Sequence, residues 1–390
     1  MKRRDFVVKS GLVTTGLVAG TSSLWGVSKN FSANKTINLG VIGTGDRGSG
    51  LIPILNQIDG VNVMACCDVL AFRLENGLSK TDNRAKGYAD YRKLLDNKDI
   101  DAVLVSTPFN THSDIAIDAL DAGKHVYCEK TMAKGLKQIK SLVKKVENSS
   151  TIFQTGHQYH SSRLYSHVVN LIKNGEIGKV IAFECQWNRN GNWRRPVPDP
   201  SLERAINWRM YREYSGGLTA ELCSHQIDFV NWVLDEKPET IMGIGGIDYW
   251  KDGRETYDNV HLIYTYPSGV KATFRCLTAN ALGDYQIKVH GDKGTILLDY
   301  NKAWIYFEKN DKKEWGDVDG VSGATMNSQF QGYGVPIEVS HEDPSKQALV
   351  DFRDCIINNT IPLSNVHTGA NTAKGVQLSI SAMTESEIIQ

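Results

Sequence analysis

At 390 residues, 41% hydrophobic and 23% charged, the chain is long enough for two globular domains with full cores. Lysine plus arginine and aspartate plus glutamate balance at 44 each, and no basic block stands out beyond the N-terminus, so a nucleic-acid partner has no electrostatic support. The seven cysteines are scattered without a C-x-x-C pair, which argues against a disulfide framework or a zinc site; Cys66 and Cys67 read as small buried residues of a strand.

The first 34 residues differ from the rest. Arg3 and Arg4 precede Phe6, and "SGLVTTGLVAGTSSLWGV" follows, mildly apolar and too short to span a membrane comfortably. A twin arginine before such a stretch fits a twin-arginine export signal, processed before Thr36, with a periplasmic destination. No stable membrane span is expected after processing.

From Ile37 the pattern becomes regular. "INLGVIG" is a continuous apolar run, the mark of a strand buried on both faces. Leu51, Ile52, Ile54, Leu55 and Ile58 follow at helical spacing, then "VNVMACCDV" as a second strand ending at Asp68. "DAVLVSTP", a helix closed by Gly123, "HVYCEK", "LKQIKSLVKKVEN" and "TIFQTG" continue the alternation. Strands alternating with helices of this length predict a parallel, doubly wound Rossmann sheet over residues 35–157.

Gly43, Gly45 and Gly48 stand as G-x-G-x-x-G between the first strand and first helix. The first glycine permits the tight turn, the second lets a pyrophosphate approach the backbone, and the third lets helix lie close to strand. The helix N-terminus adds free N–H groups and a partial positive charge. Asp68, twenty residues beyond Gly48, can accept from a ribose diol and would repel a 2′-phosphate, which favours NAD over NADP. Arg73, in the next helix, is the residue that keeps NADP in view. An ordinary glycine-rich turn is the bland alternative.

Residues 158–390 form the second expected domain. "QWNRNGNWRRPVPDPSLERAINWRMYREY" interleaves Trp187, Trp193, Trp208 and Tyr211 with Arg189, Arg194, Arg195 and Arg209. Aromatic faces stack on sugar rings and guanidinium forks bind hydroxyls or carboxylates, so this reads as a lid or substrate loop, with a dimer contact as the alternative. His157, Tyr159 and His160 on "GHQYH" are further pocket candidates. "KVIAFECQW", "NVHLIYTYPSGVKATFRC" and "DYQIKVHGDKGTILLDY" alternate like half-buried strands with turns between them.

"GVIGTGDRG", "STPFNTH", "HVYCEKTMA" and "GGLTAELCSHQIDF", in this order, resemble the Gfo/Idh/MocA family of sugar and inositol oxidoreductases over the whole chain after the signal. The resemblance implies a C-terminal α/β domain with a large, mostly antiparallel sheet, which binds substrate and through which homo-oligomers form. The last helices are expected to pack back on the first domain. It implies nucleotide contacts from Gly43, Thr44, Gly45, Asp46, Arg47, Gly48, Asp68, Thr107, Pro108, His112, Glu129 and Lys130. Lys130 matches the lysine of the family's E-K-P motif, with Thr131 in place of proline; Glu221 and His225 stand where many relatives carry D-x-x-x-H.

Oxidising a sugar hydroxyl requires a base, and histidine titrates at roughly 6.5, which suits His225. Glu221, four residues earlier, would share its helix face and orient the ring; Lys130 would polarise the reacting oxygen, and Tyr159 could assist. Asp228, one turn on from His225, joins His157, His160, Arg189, Trp193, Trp208 and Arg209 as expected substrate contacts. The competing view is that His225 merely sits on the core stripe of Leu218, Leu222, Phe229 and Val233. No spacing calls for a metal.

The expected activity is therefore NAD-dependent oxidation of a secondary hydroxyl in a sugar, polyol or glycoside. An exported enzyme has no ready pool to reoxidise NADH, which favours a retained cofactor. The family's exported NAD-dependent glycosidases offer a redox-neutral alternative of oxidation, elimination, hydration and reduction. Their T-H-G-L-G-P stretch is here "CSHQID". A non-catalytic sugar or nucleotide sensor is the third possibility.

Overall fold

The computed structural model describes residues 36–82, 84–308, 334–340 and 342–390; the expected signal segment, with Arg3 and Arg4, lies outside them. Six strands, β1 (Ile37–Ile42), β2 (Val61–Cys67), β3 (Lys86–Tyr88), β4 (Ala102–Val105), β5 (His125–Cys128) and β6 (Phe153–Thr155), form an all-parallel sheet in the order 3-2-1-4-5-6. Helices α1 (Asp46–Leu55), α2 (Ala71–Leu78), α3 (Tyr91–Leu95), α4 (Phe109–Asp121) and α5 (Leu136–Glu147) connect them. Every residue of β4 is buried, as a strand covered on both faces requires. The strand order reverses between β1 and β4, and a ligand cleft opens at such a switch point.

Two glycines there are dictated by space. Gly43 turns at φ +89°, and a Cβ on it would stand 2.8 Å from the Ser106 backbone. A Cβ on Gly48 would come within 1.9 Å of the Gly43 carbonyl oxygen, so α1 can lie this close to β1 only with hydrogen at that position.

After α6 (Arg163–Lys173) the chain builds an eight-stranded sheet. Its members are β7 (Val180–Asn188), β8 (Thr240–Gly246), β9 (Asn259–Thr265), β10 (Lys271–Leu277), β11 (Tyr285–Gly291), β12 (Gly294–Leu298), β13 (Ala303–Phe307) and β14 (Val335–Ile337). The order is 14-13-12-11-7-10-9-8, and every pair is antiparallel except β7 with β10. Buried residues alternate strictly with mostly exposed ones along β10 and with half-buried ones along β11, which leaves one face for the core. That face packs against α7 (Ser224–Leu234), whose Ile227, Phe229, Val230 and Val233 are buried in it.

The last two helices, α8 (Pro344–Asn358) and α9 (Val366–Glu385), return to the first sheet. Ala348, Leu349 and Phe352 of α8 share a core with β1 and β2. In α9, Val366, Ala370 and Ala373 pack with β4 and β5, while Val376, Ala382 and Met383 pack under the large sheet. One helix thus sits in both cores, and residues Ile37–Gln390 form one compact unit. No helix among the described residues is long and apolar enough to cross a membrane.

Candidate active site

A cavity of about 550 Å³ opens at the carboxyl ends of β1, β2 and β4, lined by Gly43, Gly45, Asp68, Thr107 and Pro108 among others. Helix α1 begins after Gly45 with no side chain capping it, so its first N–H groups remain for a ligand. Asp68 accepts from the Thr44 N–H and the Leu70 N–H, both at 2.9 Å, which fixes the carboxylate at the β2 end and leaves lone pairs for a diol. Thr44 itself is buried and donates through Oγ1 to the Arg73 carbonyl, so it shapes the loop. Arg73 lines the cavity, with its guanidinium turned to the Ile206 carbonyl at 3.5 Å. An uncapped helix, a glycine cradle and an acid at the second strand end fit a dinucleotide.

A second cavity, about 420 Å³, adjoins the first: Asp46, Arg47, Ser106, Arg195 and Arg209 line both. Lys130 and His225 meet on its wall. Lys130 follows β5, and its Nζ donates to the carbonyls of Glu221 at 3.0 Å and Ala220 at 3.4 Å, with a Glu221 carboxylate oxygen 3.9 Å away. Burial lowers the pKa of the ammonium; Glu221 and Glu129 oppose that fall. Glu129 is buried, yet Arg47, whose Nε is 2.6 Å from Oε1, and Lys130 hold its carboxyl below the ordinary value. Arg47 also donates to Ser345 Oγ at 3.2 Å, tying α1 to α8.

His225 is 5% exposed and ringed by Tyr159, Trp187 and His157, with ring centres 5.4, 5.5 and 6.1 Å away. Burial first, then the Lys130 charge, push its pKa well below the histidine norm. Its buried Nδ1 has no hydrogen-bond partner among the described residues. The ring is neutral at neutral pH and able to take a proton.

Other residues fall differently from the sequence expectation. Glu221 does not orient His225. Residues Thr219–Cys223 form a π turn, and the Glu221 carboxylate serves Lys130 and Arg209, whose Nε is 3.2 Å from Oε1. Asp228 is not on the cavity wall: it is buried, accepts from Thr372 Oγ1 at 3.0 Å, and lies 2.8 Å from His160 Nε2. His160 is correspondingly buried and stacks on Trp232. Asp228 thus joins α7 to α9 through Thr372, and His160 joins the Gln158–Ser161 turn to α7.

Tyr159 stands behind His225, stacked on Tyr165 at 4.3 Å, and burial pushes its phenol up, away from proton exchange near neutrality. His157 is buried, with Nδ1 3.1 Å from Thr155 Oγ1. Trp208 lines the nucleotide cavity, edge-on to Phe109 at 5.3 Å. The ring nitrogens of His112 lie 2.9 and 2.7 Å from the carbonyls of Thr131 and Thr107, so it bridges the two strand-end loops. Arg189, Trp193 and Arg209 do line the second cavity, joined by Ser106, Phe109 and Gln158, to which sequence reasoning gave no role. Phe109 lies inside the quoted "STPFNTH", but only the fold shows Lys130 Nζ over its ring at 5.5 Å.

Residues 37–157 match the model of the Gfo/Idh/MocA oxidoreductase family, NAD-binding Rossmann fold, and residues 165–297 match the Gfo/Idh/MocA C-terminal domain. The 2,7-anhydro-N-acetylneuraminate hydratase of Escherichia coli K12 is 27% identical over 346 residues, 86% of this chain and 87% of that protein. An inositol 2-dehydrogenase of Salmonella paratyphi B is 30% identical over 208 residues, 53% of this chain and 57% of that protein. In fold, the structure of a levoglucosan dehydrogenase in complex with NADH and levoglucosan superposes with a TM-score of 0.72 at 17% identity, covering 91% of this chain and 99% of that one. The chain belongs to the Gfo/Idh/MocA family of oxidoreductases, and its first sheet is the core of an NAD-binding Rossmann domain.

Proposed function

We propose that the protein oxidises a secondary hydroxyl of a sugar, polyol or glycoside, using an NAD it holds tightly. The observation that carries this reading is the convergence of a neutral histidine and a buried lysine on a cavity that opens into the dinucleotide cradle. When bound, NAD supplies a hydride acceptor. The chain supplies the rest. Gly43, Gly45 and the α1 N-terminus hold the diphosphate, and Asp68 holds a ribose. His225 takes the hydroxyl proton as the carbinol C–H bond breaks and the C=O bond forms, and Lys130 stabilises the charge on that oxygen. Glu221 keeps Lys130 in place.

Tight retention is supported by the segment between β7 and α7. Its Arg195, Ile206, Trp208 and Tyr214 line the nucleotide cavity. Arg195 Nε is 3.0 Å from Asp46 Oδ2, and the Asn110 N–H donates to the Tyr214 carbonyl at 3.3 Å. The segment must open before a nucleotide can leave. The inositol and levoglucosan dehydrogenases among the similar proteins agree with oxidation of a polyol or sugar. The hydratase from Escherichia coli favours a second reading, because adding water involves no net redox change: a redox-neutral NAD-dependent glycosidase.

Denaturing the purified protein should release NAD. Intact protein is then given free sugars and aryl glycosides. Growth of the NADH absorbance band supports the dehydrogenase; aglycone release without it supports the glycosidase; neither, with nucleotide retained, leaves a sugar sensor. His225→Ala should lose at least about a hundredfold in turnover while keeping its nucleotide. Near-normal turnover would return His225 to the core.

We also propose twin-arginine export through Arg3 and Arg4, and pairing of copies through the outer face of the large sheet, where Ile181, Ile244 and Ile263 are exposed. Loss of export without growth of periplasmic protein in Arg3→Lys/Arg4→Lys, and a dimer or tetramer by light scattering, are the expected outcomes. Unchanged export, or a monomer, would refute them.

A further inference from the structure

The charges around the second cavity do not cancel, and the excess lies at the substrate end. On the nucleotide side Asp46 is matched by Arg195 at 3.0 Å and Glu129 by Arg47 at 2.6 Å. Lys130 and Arg189, which line the second cavity alone, and Arg209, which lines both, face one carboxylate, Glu221, shared between Lys130 and Arg209. His225 adds no compensating charge, being neutral. Arg189 has no carboxylate partner among the described residues.

Arg189 is also held in place. It follows directly on β7, its N–H donates to the Leu277 carbonyl at 2.7 Å, and its guanidinium carbon lies 5.1 Å from the Trp187 ring centre and 5.8 Å from that of Trp193. Beside two indoles and hydrogen-bonded to the Tyr300 side chain, the planar fork has no carboxylate against its remaining N–H groups. Trp187 adds a donor: the residue is 5% exposed and lines the cavity, yet its indole N–H has no acceptor among the described residues. Trp187 also touches the His225 ring at 5.5 Å, so guanidinium and imidazole lie within one monosaccharide's reach. A neutral polyol would leave the surplus charge of this fork without a counter-charge.

We propose that the substrate is an acidic carbohydrate whose carboxylate binds Arg189 in a two-point contact while its reacting hydroxyl lies at His225 and Lys130. This rests on the oxidoreductase reading for the second half of that statement, but the carboxylate contact stands by itself. A planar fork prefers a planar carboxylate, and the flanking indoles would stack on the ring that carries it.

The test is isothermal titration of the nucleotide-loaded protein with methyl glucuronoside and galacturonate, against methyl glucoside, galactose and glucose 6-phosphate. At least one uronate should bind about tenfold to a hundredfold more tightly than its neutral counterpart, the scale of a charge-assisted hydrogen-bonded pair. Arg189→Leu should erase that gap by weakening the acid far more than the neutral sugar, and Arg189→Lys should keep only part of it. Equal binding of acid and neutral sugars, an intact gap in Arg189→Leu, or tighter binding of the phosphate than the uronate would each overturn the assignment. Uronate binding through Arg189 with neither NADH nor aglycone formed would refute the oxidoreductase reading and leave this one standing. Turnover of neutral sugars with no acid preference would do the reverse.

Discussion

Asp228 separates a pocket role from a structural one. Its carboxylate is 4% exposed, 2.8 Å from His160 Nε2, and takes a hydrogen bond from Thr372 on α9. Although burial works against ionisation, His160 and His157 hold its carboxyl below the usual value, so it is charged at neutral pH. Asp228→Ala removes the partner of a buried imidazole and of a buried hydroxyl together. Breaking a buried pair from one side costs about 3–5 kcal/mol, a drop in Tm of roughly 4–7 °C for a chain of this size. Asp228→Asn keeps an acceptor for Thr372 but not the charge, and should cost about 1–2 kcal/mol. The measurement is thermal unfolding of the nucleotide-loaded variants beside their steady-state KM, taken below the transition. The expected pattern is a graded loss of Tm with KM unchanged. A normal Tm with a raised KM would put Asp228 back at the substrate and refute the structural role.

Gly48→Ala should lose bound nucleotide, since its Cβ would meet the backbone of Gly43 at 1.9 Å and neither partner can rotate away; full nucleotide content in a folded variant would contradict this. His112, His157 and His225 are all kept neutral by burial, so below about pH 6.5 the unfolded chain binds more protons than the folded one. Stability is therefore complete above that pH and falls as pH drops through it, by up to about 1.4 kcal/mol per unit per histidine, read as a falling urea midpoint; a midpoint that rises on acidification would be the wrong sign. The acid limb of turnover should for the same reason lie below the ordinary histidine value, and a limb above it would remove His225 as the base. Glu221→Gln removes the first group opposing the fall in the Lys130 pKa, so the alkaline limb should move to lower pH. An unmoved limb would separate the two residues functionally.

The Rossmann half was legible because its strands are buried on both faces and therefore read as unbroken apolar runs, with helices between them at a 3.6 period. Strand β3 was not: it is three residues long, two of them exposed, and carries no pattern. In the second sheet, β9 to β12 alternate cleanly, but β8 does not. It reads "TIMGIGG" because Leu262 and Met383 fill the space a Cβ on Gly243 would need, so its glycines record the close approach of α9, a contact more than a hundred residues away in sequence. The parallel pairing of β7 with β10 is likewise a matter of topology that no local window contains.

The site shows the same division, and Glu221 shows why it matters. Spacing of four residues places two side chains near one helix face, but what each one bonds depends on what else reaches that face. Nothing in "TAELC" marks the five residues as a π turn, nor shows that Lys130 at the end of β5 and Arg209 claim the Glu221 carboxylate. The chemical consequence is large. A carboxylate bonded to His225 would raise its pKa and steady an imidazolium; without one, burial and the nearby ammonium leave the ring neutral and ready to receive a proton. The same pairing lets one acid moderate two cations, while Arg189 stands beside Trp187 without a carboxylate. The partners of one carboxylate thus bear on both the protonation state of the base and the charge of the cleft.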